Sequence, residues 1–204
     1  MRSRESPQNA GECHTDHVIS AAQWKRAIGP LLDPSVEWSF RGKFTYLCPV
    51  DWVLIGVLGE GSSFRPDEVY VWVVSMPLFV PTESLSMNFG RRVPATFGLH
   101  DPAALAGALG LALNELPTQA QALEAMAAST DEASAHAALL LDDVARAQHL
   151  LEHPFIPGDD RPFVMTSRER RRLVRDVLEH EGAEATKMVL RGWRDHTVNA
   201  LGVA

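Results

Sequence analysis

Two apolar runs decide the fold, DWVLIGVLG at 51–59 and EVYVWVVSM at 68–76. Both are apolar on alternate and intervening positions alike and rich in β-branched residues, which suits central strands covered on each side. EGSSFRPD at 60–67 joins them and carries the Gly, Ser and Pro of a hairpin loop. GEGSS at 59–63 has two glycines but no Lys and no following helix, so a phosphate-binding loop fails on context.

Upstream, VEWSFRGKFTYLC at 36–48 changes to period two. Trp38, Phe40, Phe44, Tyr46 and Cys48 are expected on a buried face, and Glu37, Ser39, Arg41, Lys43 and Thr45 on a wet one. This is one strand, or two short ones around Gly42. LFVP at 78–81 with SLSMNFGRRV at 84–93 supplies the last strand, with Pro77 and Pro81 at its start or in a bulge. The expectation is an α+β fold with a four-stranded antiparallel meander. Trp24, Trp38, Trp52 and Trp72 are expected in its core, and Trp72→Ala to cost roughly 3–5 kcal/mol.

Helices flank the strands. HVISAAQWKRAIGPLL at 17–32 reads as a first helix capped by Asp16, with Gly29-Pro30 interrupting it. From Asp101 the pattern is helical to the end, starting with a capped DPAALAGALGLALNEL. A pair follows at 117–130 and 131–153, with Asp131 and Glu132 suited to the second one's N-terminus. After the loop HPFIPGDDRPF, whose Asp159-Asp160 reads as a turn or a cap, comes a last long helix from Thr166 or Ser167, with Gly182 as a bend or a break. The division is a flexible tail at 1–15, a helix plus antiparallel sheet at 16–98, and a helical region at 99–204 packed on or beside the sheet.

Composition narrows the class. At 204 residues and 46% hydrophobic, the chain can bury a full core without disulfides or metal. Cys13 and Cys48 are too few for a disulfide framework and suit a reducing cytosol. No run approaches the roughly 20 apolar residues of a membrane span, and the polar N-terminus has no signal-peptide core. The net charge of −7 makes nucleic acid an improbable general partner. Charge is polarised, however. Residues 100–153 hold eight acidic side chains against Arg146 alone, whereas residues 161–204 hold nine Lys or Arg against six acids.

The strand segments FRGKFTYLCPVDWVLIGVLGEG, VYVWVVSMPLFVP with its Met76-Pro77-Leu78, and SMNFGRRV resemble a group of uncharacterised bacterial proteins. The resemblance spans residues 17–95. It implies a helix, a four-stranded meander and trailing helices, and domains of this kind serve as immunity or interaction proteins in toxin and defence systems. It carries no catalytic residues.

Two stretches carry candidate chemistry. Arg168, Arg171, Arg172 and Arg175 cluster within RERRRLVR and suit an acidic partner; without interleaved aromatics they do not make a stacking platform for single-stranded nucleic acid. QHLLEH at 148–153 matches the H-x-x-E-H spacing of one class of zinc hydrolases. His149 and His153 would be the ligands and Glu152 the base, with a third ligand from Glu179, Glu181 or Glu184. Against this, Pro154 ends the helix where the motif ends, so His153 is expected to be poorly anchored, and both rings to lie near free carbonyls. The leading expectation is therefore a non-catalytic cytosolic interaction protein whose partner is another protein, with no cofactor and no zinc at these histidines. The alternative is a small zinc-dependent hydrolase.

Overall fold

A computed structural model describes residues 19–62, 65, 68–85, 90–98, 101–129, 132–153 and 162–203. The expected tail, the Asp16 cap, Asp131 and the 154–161 part of the loop lie outside the described residues. Five strands form one antiparallel sheet in the order β1 (Trp38–Arg41), β2 (Phe44–Leu47), β3 (Val53–Gly61), β4 (Glu68–Pro77), β5 (Arg91–Gly98). The α+β class and the meander are as expected, and the strand count is not four. Gly42, at φ 60°, lets the chain turn tightly enough to make a hairpin of the first run. LFVP is not a strand, and the fifth strand lies later than expected, because Leu78 and Phe79 leave the sheet to become fully buried.

The hairpin also corrects the face assignment. Phe40 pairs with Thr45 and Trp38 with Leu47, so the turn shifts the alternation by one. Thr45 is therefore fully buried rather than wet, and its hydroxyl accepts the Trp24 indole N–H at 3.0 Å. Phe44 and Tyr46 point to the opposite face. Beside them β3 comes close at Gly56, where a Cβ would meet the Thr45 carbonyl oxygen at 2.2 Å. Only glycine fits there.

Each sheet face has its own cover. On the first, α1 (Ala21–Ile28) and α2 (Pro102–Asn114) bury Trp24, Ile28, Leu105 and Leu109 against Val57, Val69, Val71 and Val93. The cap of α1 is Ser20, in a capping box with Gln23, so the helix begins later than the sequence suggested. Gly29-Pro30 continues as one 3₁₀ turn, which ends the helix as expected. Further along the same face, Val53 and Ile55 meet a second apolar cluster built on α3 (Gln119–Ala127) and α4 (Glu132–Leu140). The other face buries Phe44, Tyr46, Leu54, Val74 and Met76 under Val198, Leu201 and Val203 near the chain's end. Trp72 sits at the margin of that cluster, half-buried, with its indole N–H donated to Glu60 at 2.8 Å. Trp38 and Trp52 are half-buried too, so of the four tryptophans expected in the core only Trp24 lies fully within it.

One helix predicted as a single piece is divided, and the last one breaks at the glycine where a bend or break was expected. The 131–153 segment breaks after α4, where Asp142 adopts φ 63° and Asp143 caps α5 (Val144–Glu152) by accepting the Arg146 amide. Asp142 pairs with Lys187. The last segment is α6 (Pro162–Glu181) and α7 (Ala183–Leu201), separated at Gly182 with φ 89°. Because α6 starts at Pro162, Thr166 and Ser167 are not its caps; Ser167 is buried within it. At the other end, Arg194 of α7 donates to the Val50 and Asp51 carbonyls, which ties the last helix to the β2–β3 connection.

Candidate functional site

The arginines of α6 fall on two sides of one helix. Arg170 and Arg171 face inward. Arg170 grips Glu132 of α4 with two parallel N–H donors, one of them at 2.7 Å, a fork matched to a carboxylate. Burial alone would raise the Glu132 carboxyl, but the Arg170 contact holds it below its ordinary value. Arg171, only 7% exposed, donates to the His153 carbonyl at 2.7 Å and to the Leu150 carbonyl. Those carbonyls end α5, so Arg171 caps that helix from a neighbour. Its burial lowers its pKa, and the attraction of Glu132 opposes this.

Arg172 and Arg175 face outward. Their ion pairs are intrahelical and long: Arg172 to Asp176 at 3.6 Å, Arg175 to Asp176 at 3.5 Å and to Glu179 at 3.8 Å. Pairs of this kind in solvent contribute about 0–1 kcal/mol. Among them lies Leu173, 46% exposed, with Glu169 one turn before and Asp176 one turn after. Arg168 is half-buried beside this face. The structure thus separates the four arginines singled out by the sequence, with Arg171 inside and Arg168, Arg172 and Arg175 at or toward the surface.

One buried group was missed. His136 is fully buried in α4, edge-on to Phe79 (centroids 6.3 Å apart) and Trp193 (5.7 Å). Neither ring nitrogen has a hydrogen-bond partner among the described residues. Burial pushes its pKa down to about 4; Glu132 one turn before opposes the shift, and Arg171 and Arg170 add to it. The signal in EASAHAALL was a histidine inside an alanine-rich helix with no polar face, the composition of a helix surrounded on all sides.

The HLLEH residues stand at the exposed end of α5. One possible ligand atom from each of His149, Glu152 and His153 lies within 4.8 Å of the others. Among the described residues Glu179, Glu181 and Glu184 do not belong to this group, so the third ligand required by the hydrolase reading is not brought in. Glu152 takes that place itself.

A cleft of about 410 Å³ opens on the second sheet face beside the β4–β5 pair, lined by Ser62, Arg65, Glu68, Tyr70, Arg92 and Thr96 among others. The Arg92 guanidinium lies 4.6 Å over the Tyr70 ring, and Arg65 pairs with Glu68 at 2.9 Å. Hydrogen bonds from Thr96 and Arg65 hold Glu68 below its ordinary pKa. These residues come from two strands and a loop, and no sequence spacing announces them.

Comparison with known proteins finds no matching family model, no similar curated protein and no similar solved structure. No helix among the described residues is long and apolar enough to cross a membrane.

Proposed function

We propose that this chain is a non-catalytic interaction protein, of the immunity or defence type that its strand region resembles, and that it docks a partner protein on the outer face of α6. The supporting observation is Leu173, a large apolar side chain 46% exposed on a helix face that also carries Glu169, Arg172 and Asp176. Protein interfaces favour that arrangement, with an apolar anchor and a polar rim. The surrounding ion pairs are long and solvated, so exchanging Asp176 or Glu179 for a partner's carboxylate costs little. Arg168, Arg172 and Arg175 are the contacts that choose an acidic partner, and Arg171 serves by keeping α5 and α6 together.

Affinity capture from the native host tests this, comparing the wild type with Arg172→Glu/Arg175→Glu. A partner retained at low salt, weakened by added salt and lost by the double reversal is the expected result. Retention of the same partner at undiminished strength by the reversed chain would make this face a solubilising one.

A further inference from the structure

His149 and His153 lie one helical turn apart near the end of α5, their ring centroids 4.4 Å from each other. Glu152 stands beside them, and all three side chains are exposed. Four-coordinate zinc with ligand bonds near 2.0–2.2 Å holds its ligand atoms roughly 3.3–3.6 Å apart. One possible ligand atom from each residue lies within 4.8 Å of the others, so small rotations of the exposed His149 and Glu152 side chains bring the three toward that spacing.

Two features go beyond spacing. The Nδ1 atom of His153 lies 2.8 Å from the His149 carbonyl oxygen. A carbonyl only accepts, so Nδ1 carries a proton, and in the neutral ring Nε2 is the nitrogen with the lone pair. Metal-binding histidines are commonly held this way, with one nitrogen donating to a carbonyl and the other left basic. The main chain is also fixed. Arg171 donates to the Leu150 and His153 carbonyls, so the end of α5 is clamped although Pro154 follows it. His153 is thus anchored by a residue of another helix.

We infer that His149, Glu152 and His153 form a surface site for a first-row divalent transition ion of the zinc class. Nε2 of His153, a ring nitrogen of His149 and a Glu152 oxygen are the ligands, and the remaining position is open to solvent. Glu152 acts as a ligand here and not as a base, so the site binds an ion without implying hydrolysis.

The experiment is a calorimetric titration of metal-stripped, tag-free full-length chain with zinc chloride, accompanied by thermal melts with and without zinc. The wild type is expected to take up one equivalent that His149→Ala/His153→Ala lacks, and Glu152→Gln to bind about tenfold more weakly. Zinc is expected to raise the melting temperature of the wild type beyond that of the double variant. Because the side chains are exposed, the zinc-free melt of the variant should match the wild type. Should the double variant fail to fold, His149→Ala alone retains the carbonyl that orients His153 and must lose the same equivalent. No saturable binding by the wild type, or an unchanged stoichiometry and affinity in the histidine variants, would overturn the site. Unweakened binding by Glu152→Gln would remove Glu152 from the ligand set.

Discussion

Trp24→Ala is expected to destabilise the protein by about 3–5 kcal/mol, the range for emptying a buried tryptophan site. The Trp24 side chain is fully buried between α1 and the sheet. Its ring lies so close over β3 that a Cβ on Gly59 would sit 2.4 Å from it. Truncation would leave a cavity over Gly59 and strand the buried Thr45 hydroxyl, which now accepts the indole N–H. Trp72→Ala is expected to cost only about 1–2 kcal/mol, because Trp72 is half-buried and its indole bonds an exposed Glu60. Urea unfolding of the two variants checks the pair. An equal or reversed order would mean that the face assignment of β3 and β4 is wrong.

Acid is expected to remove on the order of 3 kcal/mol of stability through His136 alone. Its folded pKa is lowered from 6.5 to about 4. Between those values the unfolded chain binds a proton that the folded chain refuses, so stability is full above about pH 6.5 and falls as the pH drops toward 4. Glu132 adds to the loss at the acid end, because its carboxyl is held below its ordinary pKa by Arg170 and protonation would weaken that grip. His136→Leu is expected to flatten the His136 part of this limb without lowering stability at neutral pH, since neither imidazole nitrogen has a hydrogen bond to lose among the described residues. Unfolding free energies measured across that pH window decide it. A wild type as stable near pH 4.5 as at pH 7, or a leucine variant with the same slope, would refute the assignment.

The strand region was legible because β-strand periodicity is local. Val53–Gly61 and Glu68–Pro77 pair over their length as their apolar runs suggested. The errors lie where a single residue changes the count. Gly42 shifts the alternation and moves Thr45 from solvent to core, and Asp142 divides a helix whose periodicity reads as continuous. Long-range placement was hidden. Nothing in RERRRLVR distinguishes Arg171, which reaches the end of α5, from its neighbour Arg172 in solvent. Likewise Pro154 argued correctly that α5 ends, but not that another helix would hold that end in place. The cleft at Arg92 and Tyr70 depends on strand register and had no local signature.

One arginine-rich helix has two faces, with Arg170 and Arg171 joining it to its neighbours and Arg172 and Arg175 meeting solvent. Thermal melts of Arg171→Gln and Arg172→Gln, recorded side by side at neutral pH, test it most directly. Arg171→Gln should lower the melting temperature by several degrees, corresponding to about 1–3 kcal/mol for unpairing the α5 carbonyls. Arg172→Gln should stay within about 0.5 kcal/mol of the wild type, as exposed positions do. Equal melts for the two variants, or a larger loss at Arg172, would contradict the account.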